Sequence, residues 1–346
     1  MAIGDAMTIP ADMTCAMWRG KDDQRIERAP VRQPEGRDIL IQVAACGICA
    51  TDLHLVDGSI PLYSPPRILG HEMSGIVVAV GPDVRTLSVG ANVAIDPNVP
   101  CGACFFCREA QPYMCPTRTP AIGGFAEYHC VPEQTAYSLP EGVPVEYGAI
   151  AEPLSCCVHA FDMASPRPGS TIAVIGAGTI GLLLTQLARR SGAALVAVSE
   201  PDAARRALAE RLGADLTIDP LSEDPRDALL RATGGIGVDY AFEAVGSSHT
   251  ATMAISLPRR GGTVVLVGVA PGDAEITLRP YDLFERELTI RASFVRAYEF
   301  RRAVALLSRL DVEPLLGRRF PLAEIHAAFA NAAERGGIKT LVVPHG

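Results

Sequence analysis

The stretch that decides the fold class is residues 171–181, which read TIAVIGAGTIG. A run of β-branched residues leads into three glycines, Gly176, Gly178 and Gly181, and an apolar helical pattern follows. A strand, a tight turn and a helix in this order are typical of a dinucleotide-binding loop, because the glycines let the backbone approach the pyrophosphate at the helix N-terminus. Glu200 ends the next predicted strand, where an acid binds the ribose of such a cofactor.

Strands and helices alternate from this stretch onward. Helical patterns such as residues 182–190 and 203–212 separate several β-branched runs. This alternation predicts an α/β domain, a parallel sheet with helices on both faces. Six runs suit a complete, doubly wound Rossmann fold. They begin near Thr171, Leu195, Asp215, Val238, Gly262 and Glu287.

The rest of the chain predicts a second, β-rich domain. Residues 14–140 contain short strand-like runs punctuated by proline and glycine. After Phe294, two amphipathic helices near 300–310 and 322–335 lead to a last strand at 340–343. We interpret this tail as a return to the first domain, with the dinucleotide domain inserted between its halves. The expected domains are residues 1–153 with 295–346, and residues 154–294.

Length and composition limit the function classes. A chain of 346 residues suits about two domains. Its formal charge of −8 argues against nucleic acid or an anionic membrane as the main partner. The N-terminal sequence MAIGDAMTIPADMT lacks the features of a signal peptide, so we expect a short tail and a cytoplasmic protein. Residues 169–188 carry no charge over a length that could cross a membrane, but their glycines and β-branched residues favour strand, turn and helix.

Three short motifs predict a catalytic metal site. They are GICATDLH at residues 47–54, GHE at 70–72 and AEP at 151–153. Thiolate, imidazole and carboxylate groups are zinc ligands, and a catalytic zinc keeps one position open. Each residue alone could be an ordinary buried side chain. Together, in a chain with a dinucleotide fold, they favour a metal-dependent enzyme.

A second cysteine cluster predicts a structural metal site. Cys101, Cys104, Cys107 and Cys115 have the spacing C-x2-C-x2-C-x7-C, within a lobe that covers about residues 98–116. Four thiolates close a tetrahedral shell and leave no open position, so this zinc is structural. The other cysteines lack ligand spacing, and we interpret them as core residues. These are Cys15, Cys46, Cys130, Cys156 and Cys157.

From about residue 14 to the C-terminus, these motifs resemble the zinc-containing medium-chain alcohol dehydrogenases, particularly the sorbitol and threonine dehydrogenase branch. The resemblance implies a GroES-like catalytic domain beside the Rossmann domain, two zinc ions per chain, and a homo-oligomer, either dimer or tetramer. It identifies Cys49 and His71 as ligands of the catalytic zinc. Glu72 joins or leaves the metal in some members, and Glu152 takes a ligand position directly or through water. The implied reaction is reversible hydride transfer between a secondary alcohol or polyol and NAD(P).

The resemblance also implies a proton relay. Thr51 corresponds to the hydroxyl that contacts the substrate oxygen, and His54 to the outer end of a relay through the cofactor ribose. His54 as a plain surface histidine is the alternative. The residues implied at the cofactor lie in the glycine loop, at Glu200 and the helix after it, and at later strand ends. They are Gly176, Gly178, Thr179, Ile180, Gly181, Glu200, Arg205, Val245, Gly268, Val269 and Phe294.

Glu200 favours NAD over NADP, because its carboxylate would repel a 2′-phosphate. Ser199, Arg205 and Arg206 lie close to it in sequence and argue in the opposite direction. Two other functions stay open from the residues alone. One is a zinc-independent quinone or enoyl reductase of the same architecture, and the other is a dinucleotide-binding protein without turnover. Tyr63, Phe125 and Phe294 are candidate walls of the substrate pocket.

The particular alcohol is not encoded in a recognisable motif. Polyol dehydrogenases of the family often have an aromatic residue directly after the relay histidine, where this chain has Leu55. Threonine dehydrogenases have a tryptophan-rich stretch beyond it, where residues 56–59 read VDGS. The sequence therefore predicts the reaction class and leaves the subfamily open.

Overall fold

The computed structural model describes residues 9–346. The first eight residues of the expected N-terminal tail lie outside the described residues. Two compact units are present. Unit 1 comprises the described residues up to Glu152 together with Phe300–Gly346, and unit 2 comprises Pro153–Glu299.

Strands and helices are numbered here in chain order. The strands are β1 (Asp12–Gly20), β2 (Asp23–Pro30), β3 (Asp38–Gly47), β4 (Arg67–Ile68), β5 (Glu72–Val80), β6 (Asn92–Ile95), β7 (Asn98–Val99), β8 (Thr119–Pro120), β9 (Tyr128–Pro132), β10 (Ala136–Ser138), β11 (Thr171–Ile175), β12 (Leu195–Ser199), β13 (Leu216–Ile218), β14 (Val238–Glu243), β15 (Pro258–Leu266), β16 (Thr289–Ala292), β17 (Leu316–Pro321) and β18 (Lys339–Val343). The α-helices are α1 (Ala50–Val56), α2 (Phe105–Arg108), α3 (Ala151–Ala164), α4 (Thr179–Arg190), α5 (Ala203–Arg211), α6 (Pro225–Ala232), α7 (Ser248–Ser256), α8 (Pro280–Arg286), α9 (Phe300–Leu306) and α10 (Ile325–Ala333).

Unit 1 is built around strand β3. It pairs antiparallel with β5, β9 and β18, so it lies in the interior of its sheet. This position explains why its sequence, DILIQVAACG, is nearly continuously apolar and almost wholly buried. Because Gly47 pairs with both Glu72 and Leu341, the motif after β3, the start of β5 and the C-terminal strand meet at one place.

Unit 2 contains, within the described part of the chain, a six-stranded parallel sheet of order β13-β12-β11-β14-β15-β16. This is the doubly wound order of a Rossmann fold, so the predicted fold class is confirmed. Ile175 pairs with both Ser199 and Glu243, which makes the carboxyl ends of β11, β12 and β14 level with one another. Ligands bind at this edge of open α/β sheets.

Element boundaries differ from the sequence-based expectations by a few residues. The helix expected at 300–310 ends at Leu306 and continues as turns, and the helix expected at 322–335 begins with a 3-10 turn and becomes α-helical at Ile325. The uncharged stretch 169–188 forms β11, a turn and most of α4, as predicted. Among residues 9–346, no helix combines the length and hydropathy needed to cross a membrane.

Candidate metal centres and cofactor site

The first candidate centre lies in unit 1, where β3 leads into α1 and β5 begins. Cys49 occupies the N-cap of α1, Glu72 is the first residue of β5, and His71 directly precedes it. The sulfur of Cys49, a ring nitrogen of His71 and a carboxylate oxygen of Glu72 all lie within 4.8 Å of one another. This donor set fits a zinc ion, and three protein ligands leave one coordination position for a substrate.

Asp52 also belongs to this centre, although the sequence motifs predicted no role for it. Its buried carboxylate accepts a hydrogen bond from the Cys49 backbone N–H at 3.0 Å and lies 3.3 Å from His71 Nδ1. Burial alone would lower the pKa of His71, but the Asp52 carboxylate and Cys49 raise it well above its ordinary value. A carboxylate behind a ligand histidine fixes the orientation of the ring. Asp52 therefore orients two of the ligands.

Lys339 was also missed by sequence analysis. Its ammonium lies 2.6 Å and 2.7 Å from the two carboxylate oxygens of Glu72 and 3.3 Å from the Ile48 carbonyl oxygen, with only 7% of its side chain exposed. Burial opposes the charge of Lys339, but Glu72 and Cys49 raise its pKa above the ordinary value. A Cβ atom at Gly47 would lie 2.2 Å from Glu72 Oε2, so this glycine makes room for the ion pair.

Glu152 is the second residue of α3 and is buried. Within the described residues, the group whose donor atoms lie within 4.8 Å of one another contains Glu72 and does not include Glu152. The pKa of Glu72 is raised, first by burial and further by the Glu152 carboxylate, against the opposing charges of Lys339 and His71. Both acids therefore act on the same centre, and Glu72 is the one in direct reach of Cys49 and His71.

The proposed relay residues lie on α1. The Thr51 hydroxyl is 3.7 Å from the Cys49 sulfur, at the edge of the candidate metal position. His54, one turn further along, has 45% of its side chain exposed, and its Nδ1 lies 3.0 Å from the Ser59 hydroxyl. Thr51 thus faces the centre and His54 faces solvent.

The second candidate centre is formed by the four lobe cysteines. The sulfur atoms of Cys101, Cys104, Cys107 and Cys115 all lie within 4.8 Å of one another. Zinc–sulfur bonds of about 2.3 Å in a tetrahedron place the sulfurs about 3.8 Å apart, so the cluster fits one ion. Backbone N–H groups of Ala103 and Cys104 lower the pKa of Cys101 to about 6, which favours the thiolate that zinc binds.

The glycine loop of unit 2 fits a dinucleotide. A Cβ atom at Gly181 would lie 1.9 Å from the Gly176 carbonyl oxygen, so the third glycine permits close packing of helix on strand. A Cβ atom at Gly178 would meet no protein atom within 4 Å. This glycine, the N-cap of α4, therefore leaves open space where a pyrophosphate would approach the helix. Thr179 and Ile180 form the first turn of α4.

Glu200 lies beside this loop and is largely buried. Its carboxylate accepts hydrogen bonds from the backbone N–H groups of Ala177 at 2.7 Å and Asp202 at 3.0 Å. The Arg206 guanidinium donates to the carbonyl oxygens of Glu200 and Pro201, each at 2.7 Å, and also pairs with an aspartate. Glu200 is thus held at the glycine loop, and the Arg206 guanidinium is already bonded to groups of the protein.

The other residues predicted at the cofactor lie in unit 2, and the candidate pocket wall Phe125 lies in unit 1. Val245, Val269 and Phe294 are partly or largely exposed in unit 2, and Gly268 follows β15. Arg205 lies in the first turn of α5 and is half-buried. In unit 1 the assignment of Phe125 as a pocket wall is wrong, because its ring is fully buried in the core against Phe329.

Known proteins resemble this chain over nearly its full length. Residues 35–141 match the alcohol dehydrogenase GroES-like domain family, and residues 179–309 match the zinc-binding dehydrogenase family. The chain is 31% identical to a sorbitol dehydrogenase of Bacillus subtilis (strain 168), over 98% of this chain and 99% of that protein. It is 37% identical to an L-threonine 3-dehydrogenase of Pyrococcus horikoshii, over 84% of this chain and 86% of that protein. A structure classed as a zinc-binding dehydrogenase of Sinorhizobium meliloti 1021, bound to NADP, matches with a TM-score of 0.93 at 36% identity and covers 97% of this chain and 100% of that one.

Proposed function

The chain belongs to the zinc-containing alcohol dehydrogenase family and is an oxidoreductase, and we propose that it transfers a hydride between a secondary alcohol or polyol and NAD. The observation that carries the proposal is the convergence of Cys49, His71 and Glu72 in a chain that also contains an open glycine loop. The relatives named sorbitol and threonine dehydrogenase support a substrate with a secondary hydroxyl. Unit 1 is the catalytic domain and unit 2 the cofactor domain in this proposal.

Two separate sets of side chains would bind the two zinc ions. Cys49 and His71 would hold the catalytic zinc with Glu72 or Glu152 as the carboxylate ligand, and the four lobe cysteines would hold a structural zinc. When bound, the catalytic zinc supplies Lewis-acid activation of the substrate hydroxyl, and the dinucleotide supplies the hydride acceptor. Asp52 keeps His71 oriented, while Lys339 neutralises Glu72 in its buried position.

The two residues of the proposed proton relay, Thr51 and His54, lie on α1. Thr51 would accept the substrate proton at its hydroxyl, whose Oγ1 lies 3.7 Å from the Cys49 sulfur, and give its own hydroxyl proton to the relay that ends at His54. His54 is exposed, paired with Ser59, and delivers the proton to solvent. Because His54 is exposed, water can replace its side chain in that outer position.

Replacing Thr51 tests the relay. In Thr51→Val the shape is kept and the hydroxyl is lost, so kcat should fall by roughly 100-fold, the usual scale for loss of a positioned acid or base. Thr51→Ser keeps the hydroxyl and serves as the matched control, with kcat within a few-fold of wild type. His54→Ala should have a smaller effect than Thr51→Val. Normal turnover of Thr51→Val with zinc retained would refute the assignment.

The preference for NAD rests on the region around Glu200. Its carboxylate lies at the loop that would hold the adenosine side of the cofactor, where a 2′-phosphate would meet like charge. Arg206 is engaged with two carbonyl oxygens, which removes one of the three groups that favoured a phosphate. The relative solved with NADP makes a direct measurement necessary.

The test of cofactor choice is the ratio of kcat/KM for NAD and NADP with one alcohol. Wild type should favour NAD by at least about tenfold, which corresponds to ~1.4 kcal/mol. Glu200→Ala should lose most of that ratio. Glu200→Gln removes the charge while keeping an acceptor for the Ala177 N–H, so it should shift the ratio with less loss of NAD turnover. A wild-type preference for NADP would refute the proposed role of Glu200.

Two alternative functions remain distinguishable by experiment. A zinc-independent quinone or enoyl reductase has no use for the Cys49, His71 and Glu72 group, so the close approach of these donors argues against it. A dinucleotide-binding protein without turnover would show cofactor binding and no activity on any alcohol. The decisive assay is a panel of polyols, secondary alcohols and amino acids with both cofactors, run on zinc-loaded protein. Turnover of none of them by zinc-loaded protein would refute the proposed function.

A homo-oligomer is part of the proposal, as is a cytoplasmic location. Within the described residues, β16 is an edge strand of the unit 2 sheet, and its outer side is unpaired. Helix α8 exposes Tyr281 and Phe284, the latter with 82% of its surface accessible. An open parallel-sheet edge near exposed aromatic rings favours pairing with a second copy. Sedimentation of wild type against Phe284→Lys measures this; a monomeric wild type would refute it.

A further inference from the structure

Glu243 is a buried acid that neither metal centre uses. It is the last residue of β14, and only 1% of its surface is exposed. Its Oε1 accepts hydrogen bonds from the backbone N–H groups of Val245 at 2.8 Å and Gly246 at 2.9 Å. Such charge-assisted bonds offset the cost of burying a carboxylate. The side chain is therefore tied to the loop that follows its own strand.

The backbone of Glu243 holds a second loop. Its carbonyl oxygen accepts hydrogen bonds from the N–H groups of Val267 at 2.9 Å and Gly268 at 3.0 Å, just after the end of β15. Four backbone N–H groups from two loops thus converge on one residue. The loop after β14 and the loop after β15 are both anchored there.

The two loops contact each other through their backbones. A Cβ atom at Gly246 would lie 2.4 Å from the Val269 carbonyl oxygen, and the φ of Gly246 is +85°. A Cβ atom at Gly268 would lie 2.2 Å from the Gly246 nitrogen and 2.6 Å from Glu243 Oε2. No side chain can fit between them, so the loop after β14, which the carboxylate holds, also constrains the loop after β15 that packs against it.

The loop after β14 also packs against the glycine loop of unit 2. A Cβ atom at Gly176, the first glycine of that loop, would lie 2.6 Å from Val245 Cγ2. The Ala244 N–H also donates a hydrogen bond to the Ile175 carbonyl oxygen at 2.9 Å. Val245 and Val269 remain 41% and 76% exposed. Their side chains therefore stand at the carboxyl edge of the sheet, where a dinucleotide would bind.

We propose that Glu243 is a positioning residue for the dinucleotide: its carboxylate holds the loop 244–246, which packs against the loop 267–269, in the conformation that the cofactor binds. The inference rests on the proposed function, since it presumes that unit 2 takes a dinucleotide. It adds a role for a buried acid that acts through Val245 and Gly246, which its carboxylate binds, and through the packing of Gly246 against Gly268. Preorganised loops bind a ligand more tightly because less ordering is left to occur on binding.

The test compares NADH dissociation constants, measured by calorimetry on the zinc-loaded protein. Glu243→Ala removes the acceptor for two loop N–H groups, so Kd should rise at least about tenfold while both zinc ions stay bound. Glu243→Gln keeps an acceptor oxygen of the same reach, so its Kd should stay within about threefold of wild type. KM for the cofactor should rise more than kcat falls, because the reacting groups are untouched.

A matched control lies at the other end of the same strand. The Asp239 carboxylate accepts hydrogen bonds from the backbone and hydroxyl of Thr171 and pairs with Arg259. Asp239→Ala should lower the melting temperature and leave the NADH Kd unchanged. If Glu243→Ala unfolds, Glu243→Met replaces it, since methionine has a similar length and offers no oxygen acceptor to the two N–H groups.

The outcomes separate the two claims. Wild type that fails to bind NADH would refute the proposed function. Wild type that binds NADH, with Glu243→Ala binding equally well, would refute the positioning role alone. A Glu243→Gln variant as weak as Glu243→Ala, or equal weakening by Asp239→Ala, would also overturn it, because the effect would then not depend on the acceptor at this position.

Discussion

Cys49→Ser is expected to abolish nearly all dehydrogenase activity while the protein stays folded. The substitution replaces the only thiolate donor of the catalytic group, and Asp52 and His71 cannot compensate for it. Lewis-acid activation contributes several kcal/mol to a transition state, so the rate should fall by roughly 1000-fold or more. Elemental analysis should find one zinc per chain instead of two, with circular dichroism unchanged.

Cys46→Ala provides the matched control for this prediction. Cys46 lies three residues earlier, is fully buried and packs against the glycines of the same region without belonging to the donor group. Its replacement should leave both zinc ions and the activity in place. Elemental analysis that finds no zinc in active wild type would remove the basis of the mechanism, as would full activity of Cys49→Ser with one zinc lost.

Cys115→Ser is expected to destabilise unit 1 without removing the catalytic zinc. Cys115 is the buried member of the four-cysteine cluster, and its sulfur accepts a hydrogen bond from the Cys101 N–H at 3.5 Å. The lobe has a four-residue helix, α2, a 3-10 turn at Pro112–Met114 and the two-residue strand β7, which pairs with β8 just beyond the lobe. Because metal binding in a closed site is coupled to folding, the melting temperature should fall by at least about 5 °C, the scale of ~2 kcal/mol in a unit of this size.

Cys130→Ala is the control for the lobe. Cys130 lies in β9, outside both donor groups, so this variant should keep two zinc ions and lose little stability. Mild chelation of wild type should reproduce the instability of Cys115→Ser when the structural ion leaves. Retention of two zinc ions by Cys115→Ser, with an unchanged melting temperature, would show that the cluster does not hold a structural ion.

Local patterns allowed much of this protein to be predicted from its sequence. The strand, glycine loop and helix at 171–181 are specified within eleven consecutive residues, because backbone conformation and packing there depend on near neighbours. The four-cysteine lobe is equally local, since its donors are separated by only two to seven residues. The alternation that followed predicted the parallel sheet and its six strands. Only element ends were displaced, where capping and turns compete with periodicity.

Contacts between distant residues were decided by the tertiary structure alone. Lys339 lies 267 residues from Glu72 and reaches it only because β18 pairs with β3, a pairing for which no spacing or motif exists. Asp52 was visible in its motif, but its function depends on the approach of His71 from another strand. Glu243 likewise acquires its four backbone partners from two loops that meet only in the folded sheet. A buried charge is stable only beside the partners that folding supplies, so its role cannot be derived before those partners are known.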